Sequence, residues 1–483
     1  MPELMLLLGI PLLGAIGMAW LGAARRAPEA NVMLCGVTLL AAGAMALRVL
    51  SFGHHAAQGS LFFADALNSL LVVLTTFVSF TTSLYSRPYM RVEADRRRVG
   101  TGALRLYHSM YQLFMFALLL ALTTNSMGIL WVAMEAATLA TVLLVSLYRT
   151  PASIEAAWKY FILGGVGLAL ALFGTILLYL AGARVVGTGA SAMLWTHLDA
   201  VKDQLEPSIV AISFVFLLVG YGTKVGLVPL HHWLPDAHAE GPTPISAVLS
   251  GLMLNVALYA LVRCKVLVDG ALGSHLAGNL MMGFGLLSVV VAAFLLSRQK
   301  DIKRLFAVSS IEHMGFITLA FGIGGAAANF AALLHVTAHS LVKSAIFFAA
   351  GHAAQKAGSQ SIDDIRGLIH TSPAVGWGLI IGTLAILGLP PFGVFAAEFI
   401  VLMQALRQYP WVAVALLIAL AVAFASVFEK VQRMVFGENT AKTLPHRPAT
   451  LPVVLHLGLA FGLGVCLPPS AVAWVREAAR VLG

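Results

Sequence analysis

Charge is scarce in this sequence. Asp, Glu, Lys and Arg together make up 11% of its 483 residues, against about 25% in a soluble domain. With 59% hydrophobic residues gathered into long runs, that scarcity excludes a soluble globular protein and points to a multi-pass membrane protein. Cysteine is nearly absent as well. Cys35, Cys264 and Cys466 lie far apart without metal-ligand spacing, which argues against a disulfide framework or an iron–sulfur cluster within the chain. No Walker A sequence, strand-borne GxGxxG or nucleophile elbow is found, so no cofactor is expected here and redox chemistry is left to a partner. Residues 5–20 have no basic run before them and read as a first span rather than a cleaved leader. A formal charge of +9 suggests nucleic acid only until the basic residues are placed. They gather in loops on one side, so the expected surroundings are a lipid bilayer and no nucleic acid.

Apolar stretches long enough to cross a bilayer fall near 4–20, 31–50, 65–84, 106–124, 127–147, 158–181, 207–230, 244–262, 272–296, 305–324, 328–352, 375–406, 411–430 and 449–468. At roughly 20 residues per span this predicts an all-α protein of about fourteen transmembrane helices. Counting loops from the N-terminus, the odd ones carry most of the Lys and Arg, for instance Arg96, Arg97, Arg98, Lys300, Lys303, Lys442 and Arg447. The positive-inside rule then puts odd loops in the cytoplasm and both termini outside, in a bacterial or archaeal inner membrane. Lys224 and Lys343 remain as the two cations inside spans. Residues 1–105 form three helices, and 431–483 a cytoplasmic loop with a last helix. Between them, 106–262 and 272–430 each read as five helices with a proline-broken member, at Pro229 and at Pro390-Pro391. That is the pattern of an inverted repeat whose ion sites lie at discontinuous helices.

Ionisable residues inside the spans are the candidate site, because each is costly in hydrocarbon. Glu135, in ILWVAMEAATLATVLLV, needs a proton or a cation, and pairing it with Lys224 lets each tune the other. His335, His339 and Lys343 recur every four residues and so share one helix face; imidazole can take a proton on one nitrogen and release one from the other. Histidines at i and i+4 can chelate, but no carboxylate completes an HExxH motif, so no metal is expected. Glu398 follows the second break as Lys224 accompanies the first. Glu312 and His313 read equally well as relay members or as a helix cap. His231, His232, Asp236 and His238 lie in the first break and either admit protons from the cytoplasm or serve structure, with Asp236 as a cap. Asp65 reads as an N-cap.

Taken together these residues resemble the antiporter-like, proton-conducting membrane subunits of complex I and its relatives. The motifs are WVAMEAATLA, GTKVGLVPLHHWLPDAHAEGPTPISA, DIKRLFAVSSIEHMGF, HVTAHSLVK and GLPPFGVFAAEF, and the likeness spans nearly the whole chain. It implies Glu135 and Lys224 as a paired switch, His335, His339 and Lys343 as a central relay, and Glu398 as the terminal residue towards the outside. One position departs. Complex I members carry a lysine where this chain has Asn255, and an amide holds no proton at physiological pH. Asn255, SIEAAWKYFILGGVG and SSIEHMG resemble the component F type of hydrogenase-4 and formate hydrogenlyase. The long lateral helix of the terminal subunit type is not expected after residue 472. The implied function is proton translocation in a multisubunit redox complex, with other membrane subunits and a peripheral redox or soluble arm as partners. Alternatives are a Na+/H+ antiporter subunit, an NADH-quinone oxidoreductase subunit, a proton-coupled module for inorganic carbon uptake, and a scaffold whose relay Asn255 interrupts.

Overall fold

A computed structural model of the chain describes residues 2–53, 55–57, 61–438 and 449–483. Lys442 and Arg447 of the expected thirteenth loop lie outside the described residues. Helices α1 (Pro2–Leu21) and α2 (Ala27–Phe52) precede a short hairpin of β1 (His55–Ala57) and β2 (Phe62–Ala64). Then come α3 (Ala66–Asp95), α4 (Thr101–Thr123), α5 (Met127–Val145), α6 (Pro151–Val186), the short α7 (Trp195–Ala200) and α8 (Pro207–Val225). Next are α9 (Trp233–Glu240), α10 (Thr243–Val248), α11 (Leu254–Leu272), α12 (Leu276–Ser297), α13 (Ile302–Ile323) and α14 (Gly325–Ala357). The chain closes with α15 (Leu368–Thr371), α16 (Pro373–Ile386), α17 (Gly393–Gln408), α18 (Pro410–Phe436), α19 (Thr450–Val465) and α20 (Pro469–Arg480).

Local chemistry sets these boundaries. Asp65 accepts from Asn68 N while Asn68 Oδ1 accepts from Asp65 N, both at 2.8 Å, a reciprocal cap as expected for Asp65. Thr150, with Pro151 behind it, starts α6, and Asp301 accepts from Lys303 N and Arg304 N to start α13. Gly226, in the left-handed region at φ 83°, ends α8, and Pro229 then offers no N–H with which to resume it.

Among the described residues, twelve helices are long and apolar enough to cross a membrane, or up to thirteen if the α19–α20 pair, bent by 83°, is one span. Each expected stretch contains a helix, but two are interrupted at their prolines, after Val225 and after Ile386. Stretch 375–406 is two helices, α16 with 14 residues and α17 with 16, because residues 387–392 hold Gly388 at φ 66° and two prolines.

Burial sorts the helices. The most apolar window of Thr243–Leu272 is 100% buried and those of α13 and α14 are 89% buried, whereas that of α18 is only 28% buried. Asn255, Glu312, His335, His339 and Lys343 stand on these innermost helices, while Glu135, Lys224 and Glu398 come from α5, α8 and α17 around them. Small residues bring these close: a Cβ on Gly285 or Gly315 would press on the facing backbone of α13 or α12.

One expectation is overturned here. Lys224 and Lys343 are not the only cations within spans. Arg263, expected in an outer loop, is 2% exposed on α11, and Lys303 is 2% exposed on α13. Arg263 donates to Asp65 Oδ2 at 2.7 Å and lies over the rings of Trp195, Phe63 and Tyr259, 4.4–5.0 Å from their centroids. Lys303 Nζ donates to Gly241 O at 2.6 Å. Both are consumed by local contacts. Asp65→Asn keeps a capping oxygen but strips the guanidinium of its counter-charge, and is expected to destabilise the chain by about 3 kcal/mol. A lowered thermal unfolding midpoint in detergent, with Asn68→Ala as the capping control, checks this.

Candidate functional site

Lys224 occupies the last turn of α8, where the free carbonyl ends of the helix favour a cation. Its Nζ is fully buried and has no hydrogen-bond partner among the described residues. Two aromatic faces surround it: the Tyr160 centroid is 4.7 Å away and that of Trp233 is 6.0 Å away. Those rings stack on each other at 4.5 Å, and Trp233 Nε1 donates to Thr223 O at 2.8 Å, which holds the indole in place. Gly164 of α6 makes the space, since a Cβ there would collide with Lys224 Nζ. Glu135 projects from α5, half-buried, with its Oε2 unpartnered. No ion pair joins it to Lys224, so the direct pairing expected from the sequence is not present.

The next group of polar contacts surrounds a turn of π-helix. Residues 249–253 take five-residue turns between α10 and α11, which frees backbone groups from the regular ladder. Gly251 O accepts from Asn255 Nδ2 at 2.8 Å and from Ser340 Oγ at 2.7 Å, and Asn255 Nδ2 also lies 2.7 Å from Ser340 Oγ. The carbonyl of Gly251 requires a donor, which fixes the orientation of the Asn255 amide. Asn255 therefore ties α11 to α14 within one turn of His339 and Lys343. Alongside it, Ser250 Oγ and Ser310 Oγ are 2.7 Å apart, and Phe306 O accepts from Ser310 Oγ at 3.0 Å and from Lys343 Nζ at 3.1 Å. Tyr160 reaches towards the same turn, its hydroxyl 2.8 Å from Thr141 Oγ1 and 3.1 Å from Met253 Sδ.

Beyond Lys343 the titratable groups crowd together. His335, His339 and Lys343 all lie on α14 and are fully buried. Neither nitrogen of His339 has a partner in the chain, and its ring is 5.8 Å from that of His313. His313 Nδ1 lies 3.2 Å from His335 Nε2 and 3.8 Å from Glu398 Oε1. Glu312 sits in the middle of α13, buried and with Oε2 unpartnered, so it is not a helix cap; Asp301 holds that place. Glu398 is in the second turn of α17, after its break, whereas Lys224 precedes the break in its own span. The two do not occupy equivalent places.

The residues of the first break divide. His231 is buried with Nδ1 unpartnered, while His232 beside it is exposed. His238 is in contact with Leu234 O at 2.8 Å through Nδ1. Asp236 caps nothing: it lies within α9 and pairs with Arg304 at 2.7 Å and Lys159 at 3.2 Å. A cavity of about 390 Å³ opens nearby, lined by Tyr89, Glu93, Arg98, Lys303 and Gln355 among others. Its polar lining escaped the sequence reading because Glu93, Lys303 and Gln355 come from three separate helices. His313 was visible as part of SSIEHMG, but its meeting with His335 and Glu398 was not.

Gly164→Ala is expected to displace the Lys224 ammonium and lower ion transport by roughly ten- to hundred-fold, the scale of loss from a misplacement of about 1 Å. Gly165→Ala, where a Cβ meets nothing within 4 Å, is the silent control. Transport by the assembled complex in vesicles, with assembly checked by gel filtration, separates the two.

The family model described as NADH:quinone oxidoreductase/Mrp antiporter, TM matches residues 124–424, which span both broken helices and every candidate residue. A hydrogenase-4 component F homolog of Methylacidiphilum infernorum is 52% identical over 424 residues, 88% of this chain and 89% of that one. Among solved structures, a chain of the archaeal membrane-bound sulfane sulfur reductase superposes with TM-score 0.88 at 24% identity over 99% of both chains. A chain of respiratory complex I from Thermus thermophilus gives 0.74 at 25% identity, over 95% of this chain and 97% of that one. This protein belongs to the NADH:quinone oxidoreductase/Mrp antiporter family of membrane subunits.

Proposed function

We propose that this chain is the proton-translocating subunit of a hydrogenase-linked, multisubunit membrane complex, driven by electron transfer in its partners. One observation carries the reading. Titratable side chains with a buried polar atom that lacks a hydrogen-bond partner among the described residues recur from Glu135 and Lys224, through Glu312 and His339, to His313, His335 and Glu398. Lys343 stands among them and donates to the carbonyl of Phe306. Unsatisfied groups of this kind are costly in a membrane core and mark ion pathways.

Lys224 is the loading point. Its charge rests on ring faces and on the distant Glu135, so a shift of Glu135 by a neighbouring subunit changes how tightly the ammonium keeps its proton. Each unit of such a change is about 1.4 kcal/mol. The hydroxyls of Tyr160, Ser250 and Ser310 can both donate and accept, and they line the stretch towards Lys343. Asn255 holds no proton; it anchors the π turn on which Ser250 stands, facing Ser310 of α13. From Lys343 the imidazoles of His339, His313 and His335 pass the proton on, and Glu398 exchanges it at the far end.

Partners are other membrane subunits and a peripheral redox arm. The positive-inside rule puts the odd loops in the cytoplasm; contacts bring ends from several of them to one common side, with Arg96 Nη2 donating to Gln355 O and Asp236 linking Lys159 to Arg304. The family also includes Mrp antiporter subunits, which makes sodium the rival cargo.

Lys224→Met and Lys343→Met are each expected to abolish proton uptake by the reconstituted complex while leaving its assembly intact, as followed with a pH-sensitive dye. Full-rate pumping in either variant would sink the proposal. Uptake of radioactive sodium, lost in the same variants, would instead favour the antiporter.

A further inference from the structure

We infer that His313, His335 and Glu398 form a binding site for a divalent transition-metal ion of the Zn2+ type, and that a bound ion closes the far end of the relay. The ligand atoms of the three side chains all lie within 4.8 Å of one another. His313 Nδ1 is 3.2 Å from His335 Nε2 and 3.8 Å from Glu398 Oε1. Ligands held at about 2.0–2.1 Å around a tetrahedral ion stand about 3.3 Å apart. The cluster is thus close to ligand spacing before an ion arrives. His313 and His335 are 2% and 0% exposed and Glu398 is 7% exposed, so the carboxylate is the most accessible of the three.

Of the three ligand atoms, Glu398 Oε1 has no hydrogen-bond partner among the described residues, while the two inward imidazole nitrogens are occupied with each other. The outward nitrogens His313 Nε2 and His335 Nδ1 are likewise unpartnered there, so each can carry the ring proton. In the neutral pair one ring must donate a proton to the other across the 3.2 Å contact. Metal binding uses both inward lone pairs, so the donating ring carries its proton on its outward nitrogen instead. Glu398 binds as the carboxylate, and any proton it held leaves to solvent. Two imidazoles and one carboxylate suit Zn2+ or Co2+ better than Mg2+ or Ca2+, which prefer all-oxygen shells. A fourth position stays open to water, as in three-ligand zinc sites.

The ligands come from α13, α14 and α17, so one ion ties three helices together. It also takes three titratable groups out of the pathway at once. Binding does not depend on what the chain transports; the closure rests on the proton-conducting reading above.

The test uses the whole detergent-purified complex, stripped of metal and titrated with Co2+. One equivalent is expected to give the intense visible absorption of a four-coordinate cobalt site, displaced by Zn2+ and not by Mg2+. His335→Gln and, independently, Glu398→Gln are expected to weaken this binding by at least about 100-fold, beyond what outer-shell changes cost. In vesicles, Zn2+ is expected to stop ion uptake by the unaltered complex over the concentrations at which it displaces Co2+. The site is overturned if no such absorption forms, or if both variants keep it. The closure is overturned if uptake continues at full rate with Zn2+ bound. Cobalt binding at this site in a complex that moves no protons leaves the site standing and removes the proton reading.

Discussion

The interior of this protein depends on keeping ammonium groups in a low-dielectric core without a carboxylate against them. A lysine at the centre of a membrane helix costs about 2.5–3.5 kcal/mol even on insertion scales, and the surroundings of Lys224 offset this in small parts. They are two ring faces, the carbonyl end of α8 and the space left by Gly164. Lys343 has a single carbonyl. Arg263, by contrast, is equally buried but meets Asp65 at 2.7 Å and three aromatic rings. A cation with a carboxylate against it cements the fold. One left half-satisfied can give up its proton without unmaking a network.

Irregular backbone lies along the same line. α8 ends one residue past Lys224, at the cap Gly226, and the π turn at 249–253 presents Ser250 and Gly251 to α13 and α14. The break before α17 sets Glu398 against His313. Such departures from the helical ladder are tolerated in a membrane only where protein or polar groups meet the freed backbone. Asn255 shows how this is done: its amide satisfies Gly251 O and grips Ser340. The residue that departs from the complex I pattern is here a structural tie between two relay helices.

Much was legible locally. Scarce charge and long apolar runs gave the membrane class, and prolines marked both breaks. A spacing of four set His335, His339 and Lys343 on one face because a helix repeats every 3.6 residues. Asp65 announced a cap three residues ahead of Asn68. Misreadings occurred where a side chain's fate depends on distant neighbours. Arg263 looked like a loop cation because hydropathy cannot see the aromatic cage waiting for it. Asp236 looked like a cap, yet its partners Lys159 and Arg304 lie on α6 and α13.

The sequence by itself determined the membrane class, the two proline breaks and the helix face shared by His335, His339 and Lys343, since those follow from local propensity and periodicity. Only the tertiary structure decided which of those groups meet. Glu135 and Lys224 form no ion pair within 4 Å, whereas His313, on α13, lies against His335 of α14 and Glu398 of α17. Those distances depend on how closely glycine-lined helices approach and at what register. That is a property of the packed bundle rather than of any single helix in it.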